Sequence, residues 1–141
     1  AAKRELGYGR AMHQAKLKPV VVGQGQATDE KTGFEGARDL LAQFPKLTAI
    51  FAANDYMAAG AMAYLRTIGK RVPEDISLIG HDNSPAASEY NLNLTTVAYN
   101  DDAIGTRSAE LLLARIENPE AKVEREVIEP ILIGRGTTRK I

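Results

Sequence analysis

Two short apolar runs, residues 48–53 (TAIFAA) and 76–80 (ISLIG), each end abruptly in polar side chains. Asn54 and Asp55 follow the first, and His81, Asp82 and Asn83 follow the second. A carboxylate accepts hydrogen bonds, and an amide both donates and accepts them. Together they suit a neutral ligand rich in hydroxyls, or one with amino groups. They suit a phosphate poorly, because carboxylates repel it. Asn and Asp after a strand also serve as helix caps and turn residues. For Asn54-Asp55 the capping reading stands level with the ligand reading, with Asp55 the better pure cap and Asn54 the better ligand donor. For Asp82 the site reading is the stronger, since no obvious helix starts directly after it.

Other constellations are weaker. His81, Asp82 and Ser84 have the residue types of a hydrolytic triad, but adjacent residues leaving a strand point in different directions, so mutual hydrogen bonding is not expected. His13 reads as a helix-surface residue. The chain has 2 histidines and no cysteine, which makes a poor metal site. Gly23-Gln24-Gly25 follows an apolar run but lacks the third glycine and immediate helix of a dinucleotide fingerprint. Met57 and Met62 read as core, and Arg135 as a solvated strand end or a salt-bridge partner. No catalytic residue, metal or cofactor is expected.

The elements that position the polar strand ends follow from periodicity. Residues 3–16 read as a helix, 19–23 (PVVVG) as a buried β-branched strand, and 23–28 as a loop. Asp29 and Glu30 open a second helix, where acidic groups favour the positive end of the dipole, and Pro45 stops it. Asn54 or Asp55 caps a third, in which Met57, Ala61, Leu65 and Ile68 share a face. Strand, helix and strand within residues 48–80 make a βαβ unit with a right-handed crossover. Ser84-Pro85 reads as the start of a short helix, 94–99 as a strand, and 101–117 as a helix capped by Asn100. Two β-like runs, VEREVIE and PILIG, finish the chain. In an open α/β sheet, ligands bind where parallel strands release their carboxyl ends, so Asn54 and Asp82 are expected to face one crevice.

Composition sets outer limits. The 141 residues are 44% hydrophobic and 26% charged, enough to bury the core of a single domain. The 18 basic and 18 acidic side chains balance, so these residues carry no electrostatic footprint for nucleic acid or an anionic membrane. No apolar run is long enough to span a bilayer. The absence of cysteine excludes disulfides and fits a cytoplasmic chain. The first residues lack a signal-peptide h-region and already read as helix, unlike a natural start.

A linked set of motifs carries a family resemblance. ANDYMAAGA, GKRVPEDISLIGHDNS, LTTV and ILIGRGTT, in this order and spacing, resemble the LacI/GalR family of bacterial transcriptional repressors over nearly the whole chain. The resemblance implies an α/β, Rossmann-like lobe with a parallel sheet flanked by helices, of the periplasmic binding protein-like type. It implies a helix-turn-helix region outside this chain that makes the DNA contacts, and a small effector, often a sugar or nucleobase, held between two lobes. Residues 1–95 and 129–141 would belong to the C-terminal lobe, and 96–128 would cross towards the N-terminal lobe. The apolar face of the 101–117 helix (Leu112, Leu113, Ile116) would then need another partner or stay exposed.

Carried over by position, the family's effector contacts fall on Arg4, Asn54 and Asp82, with Thr28, His81 and Tyr99 as secondary contacts. The resemblance also implies a homodimer through Lys31, Phe34, Glu35 and Arg38, together with Ala86, Ala87 and Tyr90. Thr28 stands where the family commonly places an aromatic, His81 where it places Phe or Tyr, and Asn93 where a Pro commonly precedes LTT. The expected protein is a cytoplasmic, non-enzymatic regulator that binds a polar metabolite. A periplasmic sugar-binding protein of the same architecture, and an enzyme of the doubly wound class, are the rivals.

Overall fold

The computed structural model describes residues 2–23, 27–89 and 91–140. Along the chain run α1 (Ala2–Gln14), α2 (Glu30–Gln43), β1 (Ala49–Phe51), α3 (Asp55–Thr67), β2 (Ser77–His81), α4 (Pro85–Ser88), β3 (Thr95–Ala98), α5 (Asp101–Glu117) and β4 (Ile131–Ile133). The sheet order is β1-β2-β3-β4. β1, β2 and β3 are parallel, with Ile50 beside Leu78 and Gly80 beside Thr96. β4 closes the far edge antiparallel to β3, so the parallel sheet expected from the sequence carries one reversed edge strand.

The core lies where α3 covers the sheet and α2 covers α3. Ala58, Ala61 and Leu65 of α3 meet Ile50, Ile76 and Leu78, with Ala37 and Leu41 of α2 behind them. Leu65, Ile76, Leu78 and Leu94 are fully buried. The helices approach closely because two glycines lie at their crossing. A Cβ on Gly60 would sit 1.8 Å from the Glu30 carbonyl oxygen, and one on Gly33 would sit 2.0 Å from that of Met57. Phe34 and Tyr64 complete the contact edge-to-face at 5.2 Å. Met62 is buried and Met57 packs against the same cluster, as core residues.

The caps correct one reading. Asn54, not Asp55, is the N-cap of α3: its backbone is extended and its Oδ1 accepts from the Met57 N–H at 2.8 Å. Asp55 is the first helical residue, and its carboxylate turns inward to other partners. Asp29 caps α2 by accepting from the Thr32 N–H at 2.8 Å, which holds its carboxyl below the usual aspartate range. Asn100 caps α5 through the Ala103 N–H.

Two expected strands do not form. Residues 19–23 lie outside the sheet, and β1 pairs with β2 alone. Val21 is largely exposed; an apolar run becomes a strand only where a neighbouring backbone offers a ladder. The VEREVIE run is likewise irregular, with Val123 and Val127 exposed. Of the two terminal runs, only the second enters the sheet. α5 buries none of its residues, and Leu112, Leu113 and Ile116 stay open, the second of the two outcomes expected for that face. Gln24 and Gly25, within the 23–28 loop, lie outside the described residues.

The turn from α3 into β2 is fastened by an ion pair. The Asp75 carboxylate accepts from the Arg71 backbone N–H at 2.8 Å and from its guanidinium at 3.1 and 3.2 Å. Those bonds, the side-chain ones foremost, hold Asp75 down at about 2 from 3.8. A lowered folded-state value means that this contribution is present above the unfolded aspartate value and disappears as pH falls through the folded one. Asp75→Asn should therefore flatten the acid limb of stability between pH 3.8 and about 2, and leave the slope above pH 5 unchanged. Urea unfolding across that pH range checks it.

Candidate functional site

The parallel strands release their carboxyl ends side by side, and one guanidinium spans them. Arg4, on the first turn of α1, donates to the Ala53 carbonyl oxygen, just past β1. It donates also to Asp82 Oδ1 at 2.9 Å, just past β2. Its third acceptor is the Tyr99 hydroxyl oxygen at 2.8 Å, just past β3. Three neighbouring strand ends are thus tied to one side chain. A lone Arg on a helical turn is ordinarily solvated; here its side chain is only 28% exposed.

Asp82 holds a backbone conformation that sequence alone does not reveal. Its φ is +99°, and that of Asn83 is +51°. Successive non-glycine residues in the left-handed region are costly and collect at functional turns. The turn bends the Asp82 carboxylate back onto its own neighbour, so His81 Nδ1 lies 2.8 Å from Asp82 Oδ1. This corrects the expectation that adjacent residues here would diverge: an extended chain separates them, and the left-handed turn does not. No triad results. Ser84 gives its backbone N–H to Asp55, and its Oγ is buried with no hydrogen-bond partner among the described residues.

The His81 ring is buried and meets the Tyr99 ring edge-on at 5.1 Å. His81, Asp82, Arg4 and Tyr99 therefore form one cluster. Asn54 lies next to it, after Ala53, and is largely buried. Its Nδ2 donates to the Thr28 carbonyl oxygen at 2.9 Å, while its Oδ1 caps α3. Thr28 is exposed beside it. The structure brings together Arg4, His81, Asp82 and Tyr99, and links Asn54 to Thr28.

The cluster pairs one cation with one anion. Asp82 is 38% exposed and Tyr99 44% exposed, so both side chains remain partly open to solvent. A carboxylate and a phenol edge bind hydroxyls, and the guanidinium fixes their geometry.

Asp55 holds the floor of the site, a role the sequence reading missed. It is fully buried. Its Oδ1 accepts from the Thr96 hydroxyl at 2.7 Å and its Oδ2 from the Ser84 N–H at 2.6 Å. One carboxylate at the start of α3 thus joins β3 to the turn after β2, where the helix dipole favours it. The available signal was Gly80, since a glycine inside a strand marks the close approach of another group; a Cβ there would come within 2.3 Å of Asp55 Oδ1.

The residues expected at a dimer contact divide. Lys31 and Arg38 are exposed on α2, while Phe34 and Glu35 are half-buried, Phe34 against Tyr64. Ala86 is half-buried. Ala87 is fully buried in the chain's own core, which removes it from any surface. Tyr90 lies outside the described residues. Arg135 makes no ion pair among the described residues and bonds instead to neutral oxygens. No group of three or more potential metal ligands occurs among the described residues, and none of their helices is long and apolar enough to cross a membrane.

Residues 1–138 match the family model of the periplasmic binding protein-like domain. The HTH-type transcriptional repressor PurR of Pasteurella multocida is 42% identical over 143 residues, which cover 99% of this chain and 42% of that protein. The chain thus spans about two fifths of the length of that relative. A LacI-family transcriptional regulatory protein from Corynebacterium glutamicum superposes with a TM-score of 0.85 at 37% identity, over 97% of this chain and 53% of that one. The transcriptional regulator CelR in its cellobiose complex gives a TM-score of 0.84 at 32% identity, over 96% of this chain and 42% of that one. The chain therefore belongs to the periplasmic binding protein-like family, as part of a LacI/GalR effector-binding domain.

Proposed function

We propose that this chain is the small-molecule-sensing and dimerising part of a LacI-type transcriptional repressor, and that its effector is a sugar or a similar neutral polar metabolite. The observation that carries this is the single guanidinium of Arg4 bridging Ala53, Asp82 and Tyr99 across three strand ends. Asp82 accepts ligand hydroxyl protons through the exposed part of its carboxylate, and Arg4 and Tyr99 set its orientation. Asn54 contributes its remaining amide N–H, and His81 and Thr28 border the ligand. A relative seen with cellobiose supports the sugar class, and a repressor among the relatives supports regulation over transport.

The protein works in the cytoplasm and is not an enzyme; its DNA contacts lie outside these residues. A ligand shifts the repressor only by binding one arrangement of its parts more tightly than another. The exposed side of α2, with Lys31, Glu35 and Arg38, and Phe34 at its margin, joins Ala86 in the dimer contact.

Thermal-shift screening of the full-length protein against neutral sugars, nucleosides, amino acids and sugar phosphates tests the effector class. Saturation at about 100 times Kd stabilises by about 2.7 kcal/mol. A neutral, hydroxyl-rich compound is expected to raise the melting temperature most. A response confined to sugar phosphates would contradict the reading.

A further inference from the structure

We propose that Arg135 is a positioning residue for Asp82, acting through Asn83. This rests on the reading of Asp82 as a ligand contact, but concerns how the chain shapes the turn that carries it. Arg135 follows β4 and reaches across the start of β3. Its Nη1 donates to the Leu94 carbonyl oxygen at 2.7 Å and its Nη2 to Asn83 Oδ1 at 2.7 Å. Its backbone N–H is itself fixed on Thr95 Oγ1 at 3.0 Å. A planar guanidinium that satisfies two acceptors at once fixes their relative placement, which a single donor cannot do.

What it fixes is the second residue of the turn, the one that follows the more strained Asp82 at φ +99°. Asn83 is exposed and left-handed at φ +51°, a conformation that asparagine adopts where its side chain is held by a hydrogen bond. Its backbone N–H reaches Thr96 Oγ1 only at 3.4 Å, so the Arg135 bond is the closer restraint. Asn83 Oδ1 is thus held by Arg135 while Oδ1 of the preceding Asp82 is held by Arg4. The Asp82 backbone is anchored by its N–H on the Val97 carbonyl oxygen at 2.8 Å. Arg4 holds the carboxylate from the ligand side and Arg135 holds the turn from the side of β3 and β4. The clamp works without touching ligand.

The test uses the ligand-free chain, so its outcome does not depend on whether an effector is found. Failure of the effector screen would leave it standing, and its failure would leave the screen standing. The intraresidue HN–Hα NOE of Asp82, strong at positive φ, is measured in four backgrounds: the natural chain, Arg135→Gln, Asn83→Gly and the double variant. Gln cannot satisfy both acceptors, so Arg135→Gln should weaken the NOE at least twofold. Glycine occupies the left-handed region at no steric cost, so the same substitution in the Asn83→Gly background should leave the NOE unchanged. Arg135→Lys, which keeps the charge and one donor, should fall between and covers the case where the Gln variant does not fold. An Asp82 signal that ignores Arg135, or that weakens equally in both backgrounds, would reduce Arg135 to a clip between β3 and β4 and overturn the proposal.

Discussion

Asp55→Ala is expected to lower the melting temperature by roughly 10 °C, from a loss of about 3 kcal/mol or more. The substitution removes the acceptor of two donors at once, the Thr96 hydroxyl and the Ser84 N–H. Thr96 is fully buried, so water cannot replace the carboxylate there, and an unpaired buried donor costs about 1–3 kcal/mol. The space left by the side chain adds a smaller term. Asp55→Asn keeps the shape and one acceptor, and should lose about half as much. Thermal and urea unfolding, followed by circular dichroism, check both. A loss under about 1 kcal/mol for the alanine variant would mean that the floor of the site is held by something else.

Gly60→Ala should rank beside it, with a loss of about 3 kcal/mol, at the upper end of overpacking effects. Alanine normally favours a helix over glycine, so the sign here is set by packing. The added methyl would meet the Glu30 carbonyl oxygen and the Phe34 backbone nitrogen. Backbone atoms cannot swing aside as a flexible side chain does, so α2 and α3 would have to part. Their separation would also open the Phe34–Tyr64 contact. The same substitution at Gly105 of α5, where a Cβ meets nothing within 4 Å, should instead stabilise by about 0.5–1 kcal/mol. Opposite signs for one chemical change at two helical glycines would confirm the crossing geometry. Equal signs would refute it.

The helices were legible because their signals are local. The acidic start at Asp29-Glu30, the stop at Pro45 and the amide at Asn100 each act within one turn, and the helices begin or end there. β2 was legible because ISLIG is a short apolar run bounded by turn signals, and its Ile76 and Leu78 are buried. Residues 19–23 and VEREVIE look as strand-like in sequence, but a strand also needs a partner backbone, and that is a property of the whole fold.

The site divides in the same way. That Asn54 and Asp82 stand at strand ends followed from the βαβ pattern. Which of Asn54 and Asp55 caps α3 did not follow, because both can cap. What decides it is the pair of donors that draws the Asp55 carboxylate inward, and both lie at least 29 residues away in sequence. The His81–Asp82 contact was hidden for a related reason. It depends on a left-handed turn at Asp82-Asn83 that no glycine announces. Asn93 shows the same in miniature. The family commonly has Pro there, yet this residue takes φ +40°, which a proline ring locked near −65° cannot adopt. Its carbonyl then receives the Gly136 N–H at 3.0 Å.

The most direct measurement is isothermal titration of the full-length protein and its Asp82→Ala variant with the best compound from the thermal screen. Loss of a charged acceptor for ligand hydroxyls should weaken binding by about 10- to 100-fold. Equal affinities for the two proteins would show that the carboxylate beside Arg4 does not receive the effector.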